Sequence, residues 1–409
     1  MTDFTVGTGM LRVEEALTLL SRRVAVLDGV EEVCLADALG RVLAEDVVSP
    51  LDVPPHANSA VDGWGFAAAG RPADGRMTVA GTVAAGHPFV GAVPVGMAVR
   101  ILTGAPVPDG VDCVAMQEDC SGEGGVVTAP MLAPGTNVRA QGEDVAQGAT
   151  VLAAGIRLRP QDLGLAAATG RTRLVVRRRL RAAVFSTGDE INEPGAPLPP
   201  GGIYDTNRTT ACSLLRSLGA EVTDLGILPD RREVIRDALA RAATGHDLIL
   251  TSGGVSVGDE DHVKAAVEAC GSLHFWKMAI KPGKPVALGR VGAAAFVGLP
   301  GNPVAVMVTF LLVARPLVLG MMGIKDSAVP RYRVEAGFAF RRKPGRREWL
   351  RARVRTDDGR LVAEKFPSDG SGVLTSMVWS DGLVELPEDV AEVSPGDALA
   401  YVPYAEMLR

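Results

Sequence analysis

Aromatic side chains are scarce in this 409-residue chain: Phe, Trp and Tyr together make up 4 % of it. Its cores must therefore rely on Val, Leu and Ala, for which a hydrophobic content of 47 % leaves ample material. Cysteine is thin as well. The five thiols (Cys34, Cys113, Cys120, Cys212 and Cys270) are odd in number, scattered, and never in CxxC spacing. That argues against a disulfide framework and against a zinc site, and leaves small buried hydrophobes in a reducing cytosol. An excess of positive charge is also missing: 42 Lys and Arg against 48 Asp and Glu give a net charge of −6. Such a balance offers no electrostatic footprint for nucleic acid or an anionic membrane, so any affinity for an anion must be local. The opening MTDFTVGTGM lacks the basic segment and apolar core of a signal peptide. The expected location is the cytoplasm, with neither nucleic acid nor membrane as partner. The one long apolar run, 304–322, is opened by Asn302-Pro303 in the manner of a helix start and interrupted by Arg315-Pro316. It reads as a buried helix rather than a membrane span.

The length suggests two to four domains. Residues 11–27 have helical periodicity, with Val13, Ala16, Leu17 and Leu20 on one face, and 33–40 suggests a second short helix. From 47 to 145 short apolar runs are punctuated by glycine and proline, the texture of an all-β module. Residues 180–326 alternate strand and helix patterns as in a doubly wound sheet. Beyond 327 the chain is β-patterned again, in YRVEAGFAF, EWLRARVRT and RLVAEKF.

Within 180–326, three apolar runs lead into glycine-bearing turns: AAVF into STGDE (186–190), DLILT into SGGVSVGDED (252–261), and AAAFV into GLPGNP (298–303). If the runs are strands of one parallel sheet, the turns lie side by side at its carboxyl edge, where open α/β sheets bind ligands. Free backbone N–H groups next to carboxylates suit an anionic ligand handled with a metal. Ser252 and Ser256 add hydroxyls. Asp259 and Asp261 either complement a helix dipole or do metal and proton work. Glu190, beside Asp189, and Asp230 are hard oxygen donors of the kind Mg²⁺ takes, and Asp230 equally fits a helix N-cap. In FWKMAIKPGKP, strand periodicity puts Lys277 and Lys281 on one face, about 13 Å apart at ~3.3 Å per residue. The Pro-Gly turn then brings Lys284 towards the same pocket, and the lysines read as oxyanion clamps.

Those motifs, together with SAVDGW (59–64), RILTGAPVP (100–108), NVRAQGEDV (137–145), IYDTN (203–207), PGRREWLR (344–351) and SDGSG (368–372), occur in family order. Over essentially its whole length the chain resembles MoeA-type molybdopterin molybdenumtransferases, the gephyrin E-domain family. The resemblance implies insertion of molybdenum from molybdate into adenylated molybdopterin with release of AMP, and the hard oxygen donors read above add Mg²⁺ as the expected cofactor. It implies a multidomain fold: a linking domain (7–50 and 146–179), a β-rich lid domain (51–145), a doubly wound, MogA-like α/β domain (180–326) and a C-terminal β-barrel-like domain (327–409). It further implies a homodimer whose active site is shared between subunits, and contact with other molybdenum-cofactor synthesis proteins. Carried over by motif, the catalytic set is Asp62, Thr103, Asp144, Glu190, Asp230, Asp261, Lys277 and Lys281, with Glu190, Asp230 and Asp261 as metal ligands. The substrate-binding set is Ser252, Gly253, Gly254, Ser256, Lys284, Pro300, Gly301, Asn302, Pro303, Arg351 and Ser371. His56-Ala57 and Trp64 depart from the family pattern, Trp64 replacing a tyrosine and losing its hydroxyl. Two alternatives share parts of this signature. A molybdopterin adenylyltransferase needs only the α/β domain, so the module bearing Asp62, Thr103 and Asp144 argues for the insertase. A gephyrin-like pterin-binding scaffold would not require the retained acids and lysines.

Overall fold

The computed structural model describes residues 10–253, 262–283 and 285–408. The chain forms two compact units, one of Met1–Glu31, Gly40–Ala44 and Val176–Arg409, the other of Glu32–Leu39 and Glu45–Val175.

The larger unit is built on a seven-stranded sheet. Its main strands are β1 (Arg181–Thr187), β2 (Glu221–Leu228), β3 (Leu248–Ser252), β4 (Gly271–Met278), β5 (Pro285–Val291) and β6 (Ala294–Leu299). After the short edge strand Met10–Leu11, the spatial order is β4-β5-β6-β3-β1-β2. β6, β3, β1 and β2 are parallel, and β5 is antiparallel to both its neighbours. The helices around it are α1 (Val13–Arg23), α2 (Thr206–Ser217), α3 (Arg232–Gly245), α4 (His262–Cys270) and α5 (Pro303–Thr309). β3 is buried at every position, as a central parallel strand should be. Strand alternation sends Val184, Leu250 and Val297 into one core with Ala211 and Leu215 of α2. Phe185, Ile249 and Phe296 pack on the opposite face against Ile235 of α3 and Val263 of α4.

The apolar run continues α5 as far as Met321, through a π-turn at Phe310–Ala314. By length and composition Pro303–Met321 could cross a membrane, yet 78 % of its apolar window is buried inside the protein. It is a core helix, with Val304, Phe310 and Leu317 fully covered. The carboxy-terminal strands Tyr332–Ala336, Arg347–Asp357, Arg360–Lys365, Gly382–Leu386 and Ala398–Pro403 close on one another as a five-stranded barrel. Its interior holds Leu350, Ala352, Ala363 and Val384.

The smaller unit carries a six-stranded sheet, including Gly63–Phe66, Arg76–Val83, Met97–Ile101 and Cys113–Met116. Phe66, Met77 and Cys113 fill one face of it and Val83, Ile101 and Val114 the other.

Two local expectations change. Residues 33–40 do not make a helix beyond one 3-10 turn at Leu35–Asp37, because Val30–Cys34 is drawn into a strand. Lys277 and Lys281 do not share one strand. β4 stops at Met278, and Ile280–Lys281 leaves the sheet to pair with Arg347 and Glu348 of the barrel.

Candidate active site

The strands that lead into the three glycine-bearing turns end as neighbours. Ser186 of β1 pairs in register with Ser252 of β3, and Ser252 with Leu299 of β6, so the strands end side by side. Gly253 sits at φ +87°, a conformation side chains rarely adopt, and its N–H donates to the Leu299 carbonyl at 3.3 Å. Ser252 Oγ donates to the Pro300 carbonyl at 3.2 Å, tying the second turn to the third. Asn207, at the start of α2, donates from Nδ2 to the Gly301 carbonyl at 2.6 Å. Around Gly301 the space is open: a methyl group there would meet nothing within 4 Å. Gly254, Ser256, Asp261 and Lys284 lie outside the described residues.

Several polar atoms at this edge lack partners among the described residues. The hydroxyls of Ser186, Thr187 and Thr251 are buried without a hydrogen bond, and so is Asn207 Oδ1. Buried polar atoms of this kind are ordinarily satisfied, by protein, water or ligand.

A second wall comes from the barrel. Val304, in the first turn of α5, donates its N–H to the Ser371 carbonyl at 3.0 Å, which sets the SDGSG loop against the helix start. Beneath that loop Arg351 is 3 % exposed. Its Nε donates to Ser376 Oγ at 3.1 Å, and its Nη2 to the carbonyls of Ser368 at 2.8 Å and Gly370 at 3.3 Å. Burial pushes its pKa down, and the charge of Asp369 opposes that shift. No carboxylate pairs with Arg351 in direct contact among the described residues, although the charges of Asp369 and Glu348 reach it. Asn302 occupies the cap position of α5 without a side-chain cap hydrogen bond, and Pro303 follows at the first helical position. On the other flank, Gly283 packs against Thr309 and Ala305 of α5. Lys281, two residues earlier, forms an ion pair with Glu348 at 2.7 Å. Lys277 is exposed at the end of β4.

The carboxylates are placed less tightly. Glu190 is exposed, its side chain folded back over Gly188, where a methyl group would meet Oε2 at 2.7 Å. Asp230 lies just beyond the end of β2, the neighbour of β1. It does not cap α3: Arg231 holds that position, with no side-chain cap bond. Among the described residues no three His, Cys, Asp or Glu side chains gather closely enough to form a metal cage. Glu190 and Asp230 follow the ends of neighbouring strands, β1 and β2, and are carboxylates of this edge, hard oxygen donors of the type Mg²⁺ takes.

In the smaller unit Asp62 and Thr103 meet. Thr103 donates to Asp62 Oδ1 twice, from its backbone N–H and from its hydroxyl, each at 2.7 Å. These bonds, the backbone one foremost, hold the Asp62 carboxyl below its ordinary pKa, with help from the charge of Arg100. Arg100 lies 5.2 Å from the ring centroid of Trp64, so the tryptophan serves as a platform for that guanidinium. Asp144 is exposed on a separate loop, its backbone N–H donating to the Val53 carbonyl, and among the described residues no bond joins it to Asp62 or Thr103. Thr103→Val keeps the backbone donor and removes the hydroxyl, so Asp62 is expected to titrate at a higher pH than in the wild type. A depressed carboxyl pKa stabilises the fold above the ordinary value near 4 and loses that effect as the pH falls through the folded value. The variant should therefore lose this contribution at a higher pH. Carbon-13 NMR of the Asp62 carboxyl measures the shift, and an unchanged titration would show the hydroxyl bond to be inert.

Sequence reasoning missed three residues. Arg208 is buried at the start of α2, where it binds Asp205 at 2.9 Å, Asp224 at 2.6 Å and Glu193 at 2.5 Å. The Asp-x-x-Arg spacing at a helix start was its only signal. Asn207 belongs to a recognised motif, but its role in holding the Pro300–Asn302 turn needed coordinates. Glu348 carries no local signal, being one more charge in an arginine-rich strand. A cavity of about 600 Å³ lies elsewhere in the larger unit, between α1, the end of the apolar helix and the barrel, and none of the expected site residues lines it.

The fold defines a multidomain α/β-plus-β protein in which the strands leading into three glycine-bearing turns end side by side at the carboxyl edge of a doubly wound sheet. Comparison with known proteins agrees. Residues 11–170 match the MoeA N-terminal region (domain I and II), 183–320 a probable molybdopterin binding domain, and 333–404 the MoeA C-terminal region (domain IV). The chain is 38 % identical over 403 residues to a molybdopterin molybdenumtransferase of Haemophilus influenzae, covering 98 % of this chain and 100 % of that protein. It is 37 % identical over 377 residues to molybdopterin molybdenumtransferase 2 of Mycobacterium tuberculosis, covering 89 % and 93 %. A crystal structure of a molybdopterin biosynthesis MoeA protein from Pyrococcus horikoshii superposes with a TM-score of 0.79 at 29 % identity, over 97 % of this chain and 100 % of that one. The chain belongs to the MoeA-type molybdopterin molybdenumtransferase family, transferases of molybdenum-cofactor biosynthesis.

Proposed function

We propose that this protein transfers molybdenum from molybdate to adenylated molybdopterin and releases AMP. The observation that carries this reading is the convergence at the start of α5. There the Ser371 loop, held from below by the buried Arg351, meets the Pro300–Asn302 turn through the Val304 N–H. Two kinds of anion need two kinds of donor, and both are present. The backbone and hydroxyl groups of the glycine turns suit a pterin phosphate. Arg351, Ser371, Lys281 and Lys277 suit the tetrahedral oxyanion. Catalysis on this account is electrostatic positioning rather than covalent chemistry.

Glu190 and Asp230 would hold Mg²⁺, with Asp261 the third candidate ligand. When bound, the ion neutralises charge on the phosphoanhydride and polarises it for cleavage. Asp62, kept ionised by Thr103, and Asp144 belong to the smaller unit. The working enzyme on this reading is a homodimer in which these acids face the sheet-edge pocket of the partner subunit. The expected setting is the cytoplasm, among other molybdenum-cofactor synthesis proteins.

The test supplies purified protein with adenylated molybdopterin, molybdate and Mg²⁺, and measures AMP release together with reconstitution of a molybdenum-dependent enzyme. Both should appear, and omitting molybdate should abolish the reconstitution. Formation of the adenylate from molybdopterin and ATP instead would assign the chain to the preceding adenylyl-transfer reaction. Tight binding without turnover would make it a scaffold.

A further inference from the structure

Lys281 and Glu348 differ sharply in their surroundings. The carboxylate is 4 % exposed and the lysine side chain 41 %. Their strands pair in register, Ile280 with Arg347 and Lys281 with Glu348, so the contact is fixed by the main chain of two elements. No other ion pair to Glu348 is found among the described residues. Its strand neighbour Arg347 is committed to Glu14, Glu385 and Glu388. Arg342 and Arg351 are near enough to feel the Glu348 charge. Their hydrogen bonds, however, go to main-chain carbonyls and, for Arg351, also to Ser376.

We propose that Glu348 is a positioning residue: it anchors the Lys281 ammonium at the sheet edge so that its remaining N–H groups face the incoming oxyanion. An ammonium has three donors, and one spent on a fixed carboxylate leaves two with defined directions. A lysine free in solvent would have to surrender rotamer entropy on each binding event. The anchor also joins barrel to sheet edge, since Lys281 lies two residues before the glycine that packs on α5. This inference rests on the functional reading above for the identity of the anion.

The dependence is asymmetric. Lys281→Ala strands a buried carboxylate and should lower the thermal midpoint markedly. Glu348→Gln leaves only a lysine that can reach water, so its midpoint should stay close to that of the wild type. The experiment measures molybdate affinity by equilibrium dialysis, and turnover at varied molybdate, for wild type, Glu348→Gln and Glu348→Asp. Glu348→Gln is expected to weaken molybdate binding and raise its KM by on the order of tenfold or more, with a smaller change in kcat. Glu348→Asp, which keeps the charge on a shorter arm, should recover part of the loss. Unaltered affinity and KM in Glu348→Gln would overturn the proposal, as would a lowered midpoint with normal kinetics. A wild type that binds molybdate but transfers no molybdenum would count against the functional reading instead, and the dialysis comparison would still judge the anchor.

Discussion

Arg351→Ala is expected to slow molybdenum transfer by about 10²–10³-fold, the usual effect of removing one preorganised donor from an oxyanion site. The side chain does two things at once. It supplies the one buried cation of the loop wall that has no carboxylate in contact among the described residues, and it holds the carbonyls of Ser368 and Gly370. Its loss therefore removes a buried charge and releases the loop whose Ser371 carbonyl meets α5. Arg351→Lys separates the two effects. An ammonium keeps the charge, but without the planar guanidinium fork it cannot reproduce the bonds to both carbonyls and to Ser376. Its turnover should fall between wild type and Arg351→Ala. Steady-state kinetics at saturating adenylated molybdopterin reads both variants. Wild-type turnover in Arg351→Ala would remove the barrel from the site.

Arg208→Ala should cost roughly 3–5 kcal/mol of stability, as breaking a buried charge pair from one side typically does. The reason is Asp205, whose side chain is 2 % exposed and would keep only the Arg208 backbone N–H at 3.1 Å. Asp224 and Glu193 reach solvent and would adapt. Burial alone would lower the Arg208 pKa, and the hydrogen bonds to Asp205 and Asp224 more than offset it, raising the value above that of an ordinary arginine. Denaturant unfolding measures the loss, and a difference under about 1 kcal/mol would show the network to be dispensable. Arg208→Lys should rescue little, since one ammonium cannot serve three carboxylates in this geometry. Because Asn207 is the preceding residue and ties α2 to Gly301, a loosened helix start should also disturb the Pro300–Asn302 turn.

The doubly wound sheet was legible because parallel strands buried on both faces leave unbroken apolar runs, and DLILT and AAAFV are such runs. The adjacency of the three turns followed from that topology alone. The lysine segment misled for a definite reason. Alternation within FWKMAIK looks like one strand, and nothing local reveals that Ile280 and Lys281 are claimed by a barrel strand more than sixty residues later. Long-range pairing is invisible to periodicity. The same holds for Arg351, whose burial beneath the SDGSG loop its neighbours in sequence do not reveal. Asp62 was readable as an acid of interest only through the resemblance. Its two bonds from Thr103, forty-one positions away, are a property of the folded sheet.

The central claim is that the oxyanion is held where the Ser371 loop meets the start of α5. Crystals grown with molybdate and AMP, measured at the molybdenum absorption edge, test it directly. The account predicts an anomalous peak beside Arg351, Ser371 and the first turn of α5, with the AMP phosphate in the glycine turns after β1 and β3. A molybdenum peak bound only at some other part of the chain, with this corner empty, would contradict it.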